Sequence, residues 1–470
     1  MVRIALVDNS TLTAVQRVLG HAPVRDRSVV DGDLVALEGL VQTVLFYDHV
    51  FFLDDYKERH RPQRRADFAR LLPLKPTPDA YARLVECARG AAEQIVPRVE
   101  GGVFTDEDFR PFFDLLQMNV VFTWDMASSE YFLTVKMLEG ASGVDLDKYG
   151  RLMSMIYADL ADKRRTGQSV DAKQAAQLVD SRGRPIPYPH PETYRKDFHL
   201  TKEVMTFFTG LSWLAFRTVL YTLLARQLGV DLVLHPIRQA FQANTLTRLR
   251  LEEPSVYRAL IAGMTGTAAT TLNQVRAAGQ PFVLQQKLPM FTAWLARRTG
   301  DSRAILGAAY ELRDTAPFLE ARAQLTALEE ALAAGGQERF ATEANRLVRD
   351  VADGAARLRS AFQVDTPQGV PLAPLISLWN AGAALARLPQ LPRFDLNVRQ
   401  LDRLRDLVPR RGFRALYRNL VGDLATVARL GDLHDVLTAN VRESKDATSL
   451  RVRTEPAGYF GRSSDWKIAM

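Results

Sequence analysis

Apolar residues recur at three- and four-residue spacing through most of the chain from residue 126 onward. This spacing gives a helix one apolar face, so most of the chain is expected to fold as packed helices. Helices are predicted at 128–140, 145–163, 200–228, 235–250, 254–278, 288–298, 301–311, 316–333, 336–362, 371–386, 396–408, 411–429 and 432–442. Because the 470 residues exceed what one hydrophobic core uses, two to four packed units are expected.

The first 126 residues follow a different pattern. Residues 3–7 predict a buried strand, and the polar run from Asp8 to Ser10 opens a helix. A second helix is predicted at 33–47, with further strands at 49–53 and 119–124. This order indicates a small α/β unit with short parallel strands. The predicted fold class is therefore mainly α, with a small N-terminal α/β unit followed by a large multi-helix region.

Composition shifts divide the chain into three regions. Residues 1–126 are predicted to form the α/β unit, which carries a basic insertion after its second strand. Residues 127–362 are predicted to form a helical domain with a Pro-rich loop at about 164–198. Residues 363–470 are predicted to form an Arg-rich helical C-terminal region with a polar tail.

Several features bear on the cellular compartment. The single cysteine, Cys87, excludes an intramolecular disulfide framework and a cysteine-rich zinc site. No secretory signal pattern opens the sequence, and a cytoplasmic location is expected. Residues 204–225 are long enough to span a bilayer, but Arg217 lies within them. A buried helix is therefore predicted there, without integral membrane association.

The formal net charge is +7, and its distribution is uneven. Basic residues concentrate at 57–75 and at 387–467. Such clusters suit phosphates or anionic surfaces, although a solvated helix face with Asp–Arg bridges gives the same pattern. The candidate nucleic-acid-binding residues are Arg61, Arg64, Arg65, Arg399, Arg403, Arg410, Arg411, Arg414 and Arg418.

Four carboxylates stand near the predicted strands. Asp8 follows the first strand, Glu38 lies within the second helix, Asp106 precedes the third strand and Asp125 follows it. The carboxyl ends of parallel strands meet at one edge of a sheet. Converging carboxylates hold Mg²⁺ or Mn²⁺, which activate water for phosphoryl displacement. All four are therefore candidate catalytic residues, and Asp8, Glu38 and Asp125 are the candidate metal ligands. Helix capping or a solvated face explains the same residues without chemistry.

The arrangement resembles that of the PIN-domain ribonucleases. The segments that carry the resemblance are LVDNS with Asp8 and Ser10, LVALEGLV with Glu38, TDEDF with Asp106 or Asp108, and VVFTWD with Asp125. They lie within the first 125 residues, about a quarter of the chain. The resemblance implies metal-dependent cleavage of RNA.

Three functions remain open, and the sequence does not decide whether the chain is an enzyme. The first is a helical interaction or assembly protein, such as a component of a bacterial multi-protein or defence complex. It would have a protein partner or form a homo-oligomer. The second is a PIN-like nuclease acting on RNA or single-stranded nucleic acid with Mg²⁺ or Mn²⁺. The third is a small-molecule enzyme with a pocket between helices near His235, Arg238 and Asn244.

Overall fold

The structure is a computed structural model of the chain. It describes residues 2–25, 27–95, 99–100, 103–104, 155–156, 158–163, 165–168, 178–179, 198–248, 282–285, 288–334, 337–364, 374–378, 415–418 and 420–444. The candidate residues Asp106, Asp125, Arg399, Arg403, Arg410, Arg411 and Arg414 lie outside these ranges.

The N-terminal elements alternate strand and helix. They are β1 (Ile4–Val7), α1 (Asn9–Val18), α2 (Val30–Phe46), β2 (His49–Leu53), α3 (Arg61–Asp67), β3 (Leu72–Leu74) and α4 (Pro78–Ile95). Asp8 follows the first strand and is the N-cap residue of α1. Its backbone is extended, and its carboxylate accepts the Thr11 N–H at 2.9 Å. After α1 the chain turns at Gly20, where φ is +75° and the Asn440 carbonyl leaves no room for a Cβ.

The later elements are mostly helices. Short strands β4 (Val99–Glu100), β5 (Val103–Phe104) and β6 (Leu178–Val179) form a separate three-stranded sheet. The remaining elements are α5 (Phe198–Leu228), β7 (Asp231–Val233), α6 (Pro236–Arg248), β8 (Phe282–Gln285), α7 (Phe291–Thr299), α8 (Ile305–Arg313), α9 (Ala316–Ala334), α10 (Gln337–Phe362), β9 (Pro374–Leu378), β10 (Ala415–Arg418), α11 (Leu420–Val427) and α12 (Asp432–Thr438).

The main sheet has seven strands in the order β3-β2-β1-β7-β10-β9-β8. Strands β3, β2, β1, β7 and β10 are parallel, with Val7 opposite Phe52 on one side and opposite Val233 on the other. Strands β9 and β8 continue the sheet in antiparallel fashion. The chain leaves β1 for β2 on one side, whereas β7 joins β1 from a distant part of the sequence on the other.

Helix α2 is the centre of the hydrophobic core. Every residue of this helix except Asp31 is buried, because α1, α7, α8, α9 and α11 all pack on it. An aromatic cluster closes one end of the core, where the Phe291 ring lies 6.0 Å from Phe46 and 5.4 Å from Phe318. Helix α5 packs on α4 and is buried through its middle. Among the described helices, none has a stretch both long and apolar enough to span a bilayer.

The predicted fold class is confirmed: the protein is mainly α and has short parallel strands near its N-terminus. Two predicted helices are wrong in part: residues 374–378, within the predicted helix 371–386, and residues 415–418, within the predicted helix 411–429, are strands of the main sheet, whereas Leu420–Val427 is helical as predicted. Short apolar segments do not distinguish the two structures by periodicity, and pairing between β9 and β10 decides the outcome. The strand predicted at 119–124 lies outside the described residues, and the predicted domain boundaries stay predictions.

Candidate functional site

The candidate site lies at the carboxyl edge of the parallel strands, between β1 and β7. Asp8 follows β1, the Asp54–Asp55 pair follows β2, and His235 and Arg238 follow β7. The chain connections diverge between β1 and β7, so this position is the topological switch point of the sheet. Open α/β sheets bind their ligands outside the strand ends at such a point.

Three aspartates surround one arginine here, and we call this group the aspartate centre: Asp8, Asp159, Asp162 and Arg238. Arg238 Nη1 lies 3.0 Å from Asp8 Oδ2, and its Nε lies 2.7 Å from Asp159 Oδ1. Its Nη2 is 3.9 Å from Asp162 Oδ2. The side chains of all four are at most 1% exposed. The guanidinium is thus the cation that the three carboxylates share.

Hydrogen bonds fix each carboxylate in place. Asp8 Oδ1 also accepts the backbone N–H of His235 at 3.1 Å, which ties the loop after β1 to the loop after β7. The Ser10 hydroxyl donates to Asp159 at 2.8 Å. Asp162 accepts the Tyr56 hydroxyl at 2.5 Å and the Thr13 hydroxyl at 3.0 Å. The helical residues 158–163 are therefore attached to α1 and to the segment after β2.

The pKa values of the two aspartates of residues 158–163 are shifted in opposite directions. Burial raises the pKa of Asp159, and the opposing charge of Arg238 does not cancel that effect. Burial acts in the same direction on Asp162, but Arg238, Arg64 and Arg217 together hold the pKa of Asp162 below its ordinary value. Burial also lowers the pKa of His235 far below the usual range, so that imidazole is neutral. Asp159 is consequently the less well compensated carboxylate of the pair.

A second buried ion pair adjoins the centre. Arg217 of α5 donates to Asp55 Oδ2 at 2.7 Å, and neither side chain is more than 5% exposed. Tyr81 donates to the same carboxylate oxygen at 2.7 Å. Asn9, at the start of α1, links the loop after β2 to α5. Its side chain donates to Asp55, and its backbone N–H donates to the Tyr221 hydroxyl at 3.0 Å. The ion pair of the apolar helix α5 thus joins the loops after β1 and β2.

Arg64, a predicted nucleic-acid contact, is part of this buried network. Its side chain donates to the Thr13 hydroxyl at 2.7 Å and stacks on the Tyr56 ring at 3.9 Å. Arg65 is accessible and pairs with Asp54, while Arg61 donates to the Tyr56 carbonyl at 2.5 Å. Arg418 is the last residue of β10. The structure therefore places Arg64 inside the fold and Arg61 and Arg65 at its surface.

Glu38 is also buried, but at the start of α7. Its Oε1 accepts the Phe291 N–H at 3.1 Å, and its Oε2 accepts the Thr292 N–H at 2.7 Å. The Thr292 hydroxyl and the Gln42 amide complete the set. A carboxylate suits the first backbone N–H groups of a helix, which carry partial positive charge. The structure thus gives Glu38 a capping role at α7. Asp8 shares its site with Asp159 and Asp162, and not with Glu38.

The carboxylate oxygens of the aspartate centre are the kind of ligand that hard divalent cations prefer. Asp159 Oδ2 and Asp162 Oδ2 are buried and accept no hydrogen bond within the described residues. The positions of the carboxylates do not match a metal site, however. In the described part of the chain, no group of three His, Cys, Asp or Glu side chains is placed to hold a metal ion. Arg238 stands between the carboxylates instead.

The small-molecule alternative named His235, Arg238 and Asn244. The first two lie in the buried network, and Asn244 lies within α6. A cavity of about 190 Å³ opens elsewhere, between α2, the segment after α3 and α8. Its walls are mainly apolar and include Leu40, Val44, Phe68, Leu71 and Tyr310.

A group of basic side chains lies beside the aspartate centre, and we call it the basic surface: Lys57, Arg59, His60 and Arg165. The Lys57 N–H donates to the Arg165 carbonyl at 2.7 Å, which brings two chain segments together. Partial burial lowers the pKa of His60, and the charges of Arg165, Arg59 and Lys57 lower it further. Lys57 and Arg59 are exposed, and the other two are half-buried. Lys57, Arg59 and Arg165 thus give the surface its positive charge, whereas His60 is neutral at pH 7.

Sequence reasoning found Asp8 and Arg238 but missed Asp159 and Asp162. Those two residues are three apart within a predicted helix, so they share one of its faces. Arg217 indicates a buried ion pair more strongly than the spacing of these two aspartates does, because a cation inside an apolar helix requires a buried partner. Comparison of the chain with models of protein families, with curated proteins and with solved structures finds no match.

Proposed function

We propose that this chain is an interaction protein that binds RNA or single-stranded DNA through the basic surface. The observation that carries the proposal is the clustering of the cations Lys57, Arg59 and Arg165 around His60 at one place on the protein. Close positive charges attract a phosphate backbone and gain affinity by releasing its counterions.

The position of the basic surface strengthens this proposal. Tyr56 directly precedes Lys57 and donates a hydrogen bond to Asp162 of the aspartate centre. Arg61, at the start of α3, donates to the Tyr56 carbonyl. The buried network therefore fixes the backbone that carries the basic side chains. A rigid backbone lowers the entropy that these side chains lose when they contact phosphates.

The proposal assigns a supporting role to the aspartate centre. Its three carboxylates share the Arg238 guanidinium and are closed to solvent. The PIN-like resemblance would instead make Asp8 a ligand of a catalytic metal. The two alternatives differ in whether a bound nucleic acid is cut when Mg²⁺ or Mn²⁺ is present.

The test measures binding of a fluorescent 20-nucleotide RNA, and of DNA of the same sequence, by anisotropy at several salt concentrations. The first variant combines Lys57→Glu, Arg59→Glu and Arg165→Glu. Each lost phosphate contact lowers the slope of log K against log salt by about 0.7, so the slope should fall by about 2. Affinity should fall for every sequence alike.

The matched control combines Arg83→Glu, Arg297→Glu and Arg429→Glu, three exposed arginines outside the basic surface. It changes the net charge by the same amount and should leave the slope near that of the parent protein. An equal loss in both triple variants would contradict a defined surface. Shortened RNA on a denaturing gel, seen with Mn²⁺ but not with chelator, would favour the nuclease alternative.

A further inference from the structure

The position of Arg238 has a consequence that does not depend on nucleic-acid binding. We infer that its guanidinium takes the place of a divalent cation among Asp8, Asp159 and Asp162. The native protein therefore takes up no metal at this centre, whereas removal of the guanidinium creates a site for Mn²⁺ or Mg²⁺.

The geometry gives the first argument. Each of the three carboxylates has an oxygen within 4 Å of a different guanidinium nitrogen. The carboxylates come from two parts of the chain, the loop after β1 and the helical residues 158–163. They therefore surround one point from different directions, and the guanidinium occupies that point. As they stand around it, the three carboxylates are not placed to hold a metal ion, so metal binding in the variant requires them to move into the space that the guanidinium leaves.

Burial gives the second argument. The side chains of the centre exclude water almost completely, so solvent cannot stabilise carboxylates that lose their counter-charge. Without Arg238, three aspartates would face one another in a medium of low polarity. Such a group must take up protons or bind another cation.

The free oxygens give the third argument. Asp159 Oδ2 and Asp162 Oδ2 lie fully buried without a hydrogen-bond donor among the described residues. Arg238 Nε and Nη2 also lack a hydrogen-bond acceptor of good geometry there. The guanidinium thus compensates the charge of the centre by ionic contact, including that of Nη2 with Asp162 Oδ2 at 3.9 Å, without a hydrogen bond to either oxygen. Oxygen ligands without competing donors suit Mg²⁺ and Mn²⁺.

The test compares thermal unfolding of the full chain in Mn²⁺ and in EDTA. Arg238→Met should have a much lower Tm than the parent protein in EDTA. Mn²⁺ at one hundred times its Kd should raise that Tm by about 3 °C or more. The Tm of the parent protein should not respond to Mn²⁺.

Three variants separate metal binding from general destabilisation. Arg217→Met also removes a buried arginine, but this arginine is paired with the single carboxylate of Asp55, so Mn²⁺ should not restore its Tm. Arg238→Lys keeps a cation in the centre and should not respond either. Combining Arg238→Met with Asp159→Asn removes one ligand and should abolish the response.

A folded Arg238→Met protein whose Tm ignores Mn²⁺ would overturn the inference. If this variant fails to fold with or without Mn²⁺, titration of the parent protein followed by Mn²⁺ electron paramagnetic resonance decides the question. Saturable binding that Asp159→Asn abolishes would overturn the inference, and the lack of such binding supports it. Neither result depends on the nucleic-acid assay, so failure of one proposal does not imply failure of the other.

Discussion

Asp8 and Glu38 are both buried carboxylates of the N-terminal segment, yet their surroundings differ. Glu38 receives two backbone N–H groups at the start of α7, a hydroxyl and an amide, all of them neutral donors. Asp8 also accepts two backbone N–H groups, but its second oxygen faces the charged guanidinium of Arg238.

The difference lies in how many carboxylates share one place. A single buried carboxylate is stabilised by a helix start, because several aligned N–H dipoles point at it. Three carboxylates within reach of one another repel, and neutral donors do not offset that repulsion. The aspartate centre therefore needs a full positive charge, whereas the Glu38 site does not. This contrast predicts which substitutions lower the free energy of unfolding the most.

The largest effect is expected for Arg238→Met. Removing one partner of a buried ion network leaves its carboxylates uncompensated, at a cost of about 3–5 kcal/mol in the free energy of unfolding. Urea unfolding at pH 7 in EDTA measures it. Arg297→Met, at an exposed position of α7, is the control and should change stability by less than about 0.5 kcal/mol. Equal stability of the two variants would remove the basis of the comparison.

A smaller loss is expected for Glu38→Gln. Both Glu38 oxygens accept N–H donors, but glutamine offers one oxygen and directs its amide N–H₂ at a donor. The cost should be about 1.5–3 kcal/mol by urea unfolding, because hydrogen bonds to a charged group are lost. Thr292→Val removes only the hydroxyl donor and should cost about 1 kcal/mol. If Glu38→Gln were as stable as the parent protein, the capping role would be wrong.

The smallest effect is expected for Asp159→Asn, at less than about 1 kcal/mol. Burial raises the pKa of Asp159, so the folded protein binds this proton more tightly than the unfolded chain. The contribution of Asp159 to stability therefore falls as the pH rises above the ordinary pKa of 3.8. The stability of the variant relative to the parent protein should increase between pH 4 and pH 7.

For Asp162→Asn, the effect on the free energy of unfolding should change with pH in the opposite direction. Arginines hold the pKa of Asp162 below its ordinary value despite burial, so its contribution to stability is present above 3.8 and disappears as the pH falls through the folded-state pKa. This variant should be less stable than the parent protein at pH 7. The same direction of change in both variants would show that the two aspartates are not differently compensated.

The sequence predicted the parts of the fold that depend on local pattern. The helices at 200–228, 316–333 and 336–362 match α5, α9 and α10 within two residues at each end. Strands β9 and β10 were mistaken for helices, because their place in the sheet depends on pairing between distant segments. Local periodicity contains no information about such pairing.

The candidate site was predicted only in part, for a related reason. Asp8 was identified because it follows a strand, and the polar segment around Arg238 was identified because it follows an apolar helix. The contact between these residues spans 230 positions, and no local spacing indicates it. Glu38 also fitted the carboxylate pattern, but its partner is the start of α7, 253 positions away.

The central claim is that Arg238 is the cation of the aspartate centre, and a Mn²⁺ soak of crystals of the parent protein tests it most directly. Anomalous difference density measured near the manganese absorption edge would locate any bound ion. The account predicts no peak among Asp8, Asp159 and Asp162, with Arg238 in contact with all three. A peak at that point, with the guanidinium displaced, would contradict it.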